Sequence, residues 1–158
     1  MVRAAQGQNE DRWRYRITDR SSRCMGVFEV ILLDTHVLVW ASMEPDLLSD
    51  PAQQAIEKAR RTDGLVIASI TLWEIANAIA RGRIEAVGTI EASIEEFITG
   101  VDVKDLTPEI VTIAAQFSED YPRDPADRLI GATARALGVP LVTRDQKIRS
   151  SRLVRTIW

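Results

Sequence analysis

Val30-Ile31-Leu32-Leu33-Asp34-Thr35-His36-Val37-Leu38-Val39-Trp40 runs four apolar residues without a break into an aspartate. A short, unbroken apolar run with β-branched members predicts a strand over 30–33 buried on both faces. A short helix is expected over 35–42 behind it. The pattern then repeats along the chain. Leu65-Val66-Ile67-Ala68, entered through an Asp63-Gly64 turn, predicts a second buried strand. Further strands are expected over 101–103, 140–143 and 153–157. Between them lie helical patterns over 51–61, 71–81, 89–99, 108–119 and 125–137. The first of these starts with Asp50 as N-cap and Pro51 at its first position. The 71–81 pattern sets Leu72, Ile75, Ala76 and Ile79 on one face and stops at Gly82, and 125–137 stops at Gly138. Trp40 and Trp73 are expected in the core. Strands alternating with helices imply a mainly parallel sheet with helices on both faces, an α/β fold.

Composition agrees with one folded unit. A chain of 158 residues suits a single domain, and 46% apolar with 27% charged residues excludes an acidic disordered tail or a disulfide scaffold. Cys24 has no second cysteine to pair with, which points to a reducing, cytoplasmic setting. Glu29, Asp34 and His36 interrupt the longest apolar stretch, so no membrane span is expected. Five arginines between Arg12 and Arg23 leave no apolar core for a signal peptide. Residues 1–26 are polar and aperiodic and are expected to form a flexible N-terminal extension, with 27–158 as the domain. Within the extension Arg12-Trp13-Arg14-Tyr15-Arg16 interleaves cations and aromatics, a pattern able to stack on single-stranded bases, and Met25 is a candidate native start. Residues 1–29 carry a balance of +2 and the remainder −5. That is not the footprint of a general nucleic-acid binder, so a polyanion must meet a local basic surface or a bound metal.

The placement of acids carries the chemistry. Asp34 ends the first strand, and Asp145 follows the 140–143 strand after Arg144. Glu74 is expected in the first turn of the helix after the second strand. Asp124-Pro125-Ala126-Asp127 spells an N-cap, a proline and an acid at the third helical position. In an open parallel sheet such positions project beyond the carboxyl ends of the strands, where ligands bind. Clustered carboxylates disfavour joint ionisation unless a cation neutralises them. Oxygen donors favour Mg²⁺ or Mn²⁺, and a lone Cys24 and a lone His36 argue against zinc. His36 is expected to start the helix or support the acids. By relieving that repulsion, Asp34→Asn should abolish activity while keeping or raising the stability of the metal-free protein.

Four blocks in order resemble the PIN-domain nucleases, and specifically the VapC-type toxins of toxin–antitoxin pairs. They are Ile31-Leu32-Leu33-Asp34-Thr35-His36-Val37-Leu38-Val39-Trp40, Ser69-Ile70-Thr71-Leu72-Trp73-Glu74-Ile75, Arg123-Asp124-Pro125-Ala126-Asp127-Arg128-Leu129-Ile130-Gly131-Ala132 and Leu141-Val142-Thr143-Arg144-Asp145. The resemblance implies a three-layer α/β/α PIN fold around a central mostly parallel sheet. It implies a metal-dependent endoribonuclease in which Asp34, Glu74, Asp127 and Asp145 bind one or two Mg²⁺ or Mn²⁺ ions, with Asp124 accessory. Thr35 and Thr143 would orient a carboxylate or water. Arg123, Arg128, Arg144 and Lys147 are candidate phosphate contacts. Homodimers and a small antitoxin that blocks the site with a basic residue are implied as partners. Residues before Met25 have no counterpart in this pattern.

Other readings place weight elsewhere. A phosphatase of the haloacid-dehalogenase type needs a second aspartate two residues after the first, where His36 stands. A receiver-like domain wants a lysine where Arg144-Asp145 stands. A DNA-directed nuclease of this fold would carry extra DNA-gripping elements. The strongest rival is a PIN-like module that binds RNA or protein without turnover, and retention of four acids argues against it.

Overall fold

A computed structural model of the chain describes residues 30–62 and 64–158. The expectations for residues 1–26, including the arginine–aromatic run, Cys24 and Met25, and for Asp63 in its turn, lie outside the described residues. Five strands form one sheet: β1 (Ile31–Leu33), β2 (Leu65–Ala68), β3 (Asp102–Lys104), β4 (Leu141–Val142) and β5 (Thr156–Ile157). Their order is β3-β2-β1-β4-β5 and each pairing is parallel. Among the described residues the helices are α1 (Thr35–Met43), α2 (Asp50–Arg60), α3 (Ile70–Ala80), α4 (Ile90–Phe97), α5 (Pro108–Gln116), α6 (Pro125–Leu137) and α7 (Gln146–Ser151).

Side-chain alternation along the strands divides the core in two. Leu32, Val66, Ala68 and Leu141 face a layer containing Ile110 and Ala114 of α5, Ile130 of α6 and Ile148 of α7. Ile31, Leu33, Leu65, Ile67 and Val142 face Val37 and Leu38 of α1, Ala52 and Ile56 of α2, and Ile75 of α3. The result is the expected three-layer α/β/α arrangement, with β1 at the centre and almost wholly buried. Leu32 is in register with Val66 on one side and Leu141 on the other. The chain winds from β1 to β3 in one direction, then restarts at β4 in the other. The switch point is therefore between β1 and β4, where a parallel sheet opens a crevice at its carboxyl edge.

Several boundaries differ from expectation. Ser49, not Asp50, caps α2, its hydroxyl accepting from the Ala52 N–H at 3.4 Å. Asp50 becomes the first helical residue, where its charge faces the positive helix end. The strand expected over 153–157 is only Thr156–Ile157, because Arg152 in a left-handed conformation first ends α7. Helix α7 and a 3-10 turn at Pro45–Leu47 were not expected, being too short to show a period. Trp73 is exposed rather than in the core, since α3 turns its buried face through Thr71, Ile75 and Ile79. Trp40 is half-buried, packed against the same core layer as Val37. Among the described residues no helix is long and apolar enough to cross a membrane.

Candidate active site

Asp34 stands at the carboxyl end of β1 and caps α1. Its backbone is extended and its Oδ1 accepts from the Thr35 N–H at 2.7 Å. Its other oxygen, Oδ2, accepts from the Thr143 hydroxyl at 2.6 Å and lies 3.6 Å from His36 Nδ1. With 4% exposure, this is a buried carboxylate whose two oxygens are both met by donors. Thr143 is fully buried at the end of β4, and its hydroxyl also accepts from the Asp145 N–H at 3.0 Å. One hydroxyl therefore ties the ends of β1 and β4 together across the switch point.

Asp145 follows and caps α7, its Oδ1 accepting from the Ile148 N–H at 2.9 Å. Across the crevice, Glu74 lies in the second turn of α3, not the first, because the helix begins at Ile70. The Thr35 hydroxyl donates to Glu74 Oε2 and lies 3.3 Å from the buried hydroxyl of Thr71. Burial raises the Glu74 pKa; the Thr35 bond opposes this, while Asp34 and Asp124 add to the rise. Asp124 caps α6, its Oδ1 accepting from the N–H groups of Ala126 at 2.8 Å and Asp127 at 3.3 Å. Asp127 sits in the first turn of the same helix.

Asp127 is where the fields meet. Burial first, and then the charges of Asp34, Asp124, Asp145 and Glu74, push its carboxyl up to about 7. The structure thus brings all five acids singled out in the sequence within electrostatic reach of one point at the sheet edge. Among the described residues no three His, Cys, Asp or Glu side chains converge closely enough to share an ion. The donor chemistry still suits a hard cation: the half-buried carboxylates of Glu74, Asp127 and Asp145 offer oxygen ligands and net negative charge. Asp34 is already held in place by its hydrogen bonds.

The basic residues divide. Arg128 donates to the carbonyls of Pro122, Ala114, Phe117 and Ser118, so its guanidinium ties α5 to the start of α6. That use competes with the phosphate contact expected of it. Arg123 is exposed and pairs with Glu119 on the surface. The Arg144 guanidinium lies 5.7 Å from the centre of the Trp40 ring, while the Arg144 backbone N–H donates to His36 Nε2 at 3.1 Å. Lys147 is exposed. His36 thus accepts one hydrogen bond through Nε2, while its Nδ1 faces Asp34.

Two contributors escaped the sequence reading. Thr71 was visible only as a helix start. Tyr121, buried beneath Asp127, donates from its hydroxyl to the Asp127 carbonyl at 3.3 Å and stacks on Phe117 with centroids 4.3 Å apart. Beside the acids opens a pocket of about 570 Å³. Ile70, Trp73, Leu106 and Pro125 line it together with Glu74 and Asp124.

Comparison with known proteins agrees with this architecture. The PIN domain family model matches residues 31–152. Ribonuclease VapC22 of Mycobacterium tuberculosis is 39% identical over 130 residues, which cover 81% of this chain and 98% of that protein. Among solved structures, VapBC2 from Rickettsia felis bound to a DNA fragment from their promoter contains a chain with a TM-score of 0.63 at 17% identity. The match covers 80% of this chain and 96% of that one. DNA-bound VapBC from Salmonella typhimurium gives 0.61 at 19% identity, covering 81% of this chain and 96% of that one. At such identities these two structures speak to the fold.

Proposed function

The chain belongs to the PIN-domain family, and from that premise we propose that it is a metal-dependent endoribonuclease acting as the toxin of a toxin–antitoxin pair. The observation that carries this reading is the gathering of Asp34, Asp124, Asp145 and Glu74 around Asp127, whose carboxyl burial first and then these charges push up to about 7. Such a concentration of negative charge is unsuited to an RNA backbone until it is neutralised. The similarity to a protein named as a ribonuclease supports RNA as the substrate.

Asp34, Glu74, Asp127 and Asp145 would hold one or two Mg²⁺ or Mn²⁺ ions, with Asp124 accessory. When bound, such an ion supplies positive charge to the phosphate and acidifies a water for attack on phosphorus. The chain's own residues prepare the site. Thr143 fixes Asp34 and the backbone at Asp145, and Thr35 fixes Glu74. These bonds orient the carboxylates before any ligand arrives, which reduces the reorganisation binding requires. Arg123, Arg144 and Lys147 are the cations proposed to meet flanking phosphates, with Arg128 holding the frame. With water as the proposed nucleophile, hydrolysis would proceed without a covalent enzyme intermediate.

The proposed catalytic domain is 27–158, with 1–26 as an extension outside it. The partners proposed are RNA, a small antitoxin and a second copy of the chain, and the proposed setting is the cytoplasm. The likeness to VapBC2 of Rickettsia felis and VapBC of Salmonella typhimurium supports the antitoxin. The test is incubation of total RNA with purified protein in Mn²⁺, in Mg²⁺ and in EDTA, alongside Asp34→Asn. Discrete fragments that require both metal and Asp34 are expected. Fragments that survive EDTA or the substitution would contradict the reading, and a binding module without turnover would give no fragments.

A further inference from the structure

Trp73 has 61% of its surface exposed, whereas the other described tryptophans, Trp40 and Trp158, are half-buried and lie 6.0 Å apart. Exposing an indole forfeits the burial that a tryptophan offers, so an exposed one beside a site of charge invites explanation. Its position is specific. Trp73 directly precedes Glu74 on α3, and the two share the pocket that Asp124 also lines. Ile70, Leu106 and Pro125 complete an apolar wall around the indole. The pocket therefore runs from a flat aromatic surface to two of the acids proposed to act on a phosphate.

From this continuity we propose that Trp73 is a substrate-positioning residue: its indole stacks on the nucleobase next to the phosphate being cut. The proposal deepens the ribonuclease reading and rests on it. A nucleotide whose phosphate sits at the acids must send its base to one side, and this pocket is an adjoining, largely apolar space. A base offers a π-face to the indole, which favours single-stranded RNA and tolerates different bases. Stacking contributes equally before and during bond breaking, so it belongs in KM and not in kcat.

The test compares Mn²⁺-dependent cleavage of a short single-stranded RNA by the wild-type chain, Trp73→Phe and Trp73→Ala. Each nucleotide flanking the cut is replaced in turn by an abasic ribose. Because Trp73 is exposed, both variants should melt at the wild-type temperature. Trp73→Ala should raise KM about tenfold with kcat held, and Trp73→Phe should restore most of the loss. At one flanking position, removing the base should cost the wild type about tenfold and cost Trp73→Ala nothing, since the partner has already gone. Equal KM in all three proteins, or additive losses at every position, would overturn the inference and leave the ribonuclease reading intact. Unchanged cleavage by Trp73→Ala with weakened binding of a protein inhibitor would assign the pocket to that protein instead. No cleavage of any RNA by the wild type would overturn both.

Discussion

Thr143 serves two acids with one hydroxyl, donating to Asp34 Oδ2 and accepting from the Asp145 N–H. Thr143→Val keeps the shape and removes both bonds inside a fully buried site. Its cost is expected to be about 1–3 kcal/mol in urea unfolding, the penalty of orphaning a buried charged oxygen, with Thr143→Ser close to wild type. Equal stability of Val and Thr would mean that Asp34 finds another donor. The same bonds revise the expectation for Asp34→Asn. Both Asp34 oxygens are already met by donors, so removing its charge does not simply relieve strain, and no gain in stability is expected there. Burial, and after it the repulsion, falls on Asp127. Its raised pKa means that the folded metal-free protein holds a proton there that the unfolded chain releases near 4. That contribution is complete below about pH 4 and is lost as pH rises through about 7. In EDTA, wild type should therefore lose stability relative to Asp127→Asn between about pH 4 and pH 7. A flat difference between the two would remove the charge cluster from the account. Asp34, Asp124, Asp127 and Asp145 were legible in the sequence because each stands just after a strand or at a helix start, and Glu74 because it closely follows the second strand. Tyr121 was not, since its partner is a backbone carbonyl whose position depends on tertiary packing.

Helix α6 shows how an element can carry structure and chemistry together. Asp124 accepts two N–H bonds at its start, and Gly138, at φ 67°, closes its end in the left-handed region that glycine favours. Asp124→Ala should cost about 1 kcal/mol as a lost cap, while Asp124→Ser should keep the cap and lose the charge. Comparing cleavage by these two variants separates the cap from any accessory role in holding metal. Within the helix, Gly131 lies against Tyr121, and a Cβ there would collide with the Tyr121 hydroxyl. Gly131→Ala should therefore destabilise by about 1–3 kcal/mol despite alanine's helix preference, and less so in a Tyr121→Phe background. A more stable Gly131→Ala protein would show that the aromatic stack yields easily. The N-cap, the proline and the closing glycine of α6 were all legible, because each acts through its own backbone. Helix α7 was not: six residues with Ile148 alone buried leave no period to detect.

At the scale of the molecule, the site follows from the winding of the sheet. Order β3-β2-β1-β4-β5 puts the carboxyl ends of β1 and β4 side by side, and Asp34 and Asp145 leave those ends. Helices α3 and α6 then bring Glu74 and Asp127 to the same edge from different parts of the chain. Alternating strand and helix patterns made the layered fold legible, whereas the exposure of Trp73 depended on the rotation of α3 about its axis. Composition alone cannot set such a rotation. If the acids form one centre, Mn²⁺ should raise the thermal midpoint of the wild-type chain by binding the folded state, and should do so less in Asp127→Asn. The most direct test of that unity is RNA cleavage in Mn²⁺ by Asp34→Asn, Glu74→Gln, Asp127→Asn and Asp145→Asn, each shown to be folded. Every variant is predicted to lose more than about 100-fold in rate, beyond what loss of a merely supporting group costs. A folded variant that cuts RNA at the wild-type rate would take its acid out of the centre and contradict the account.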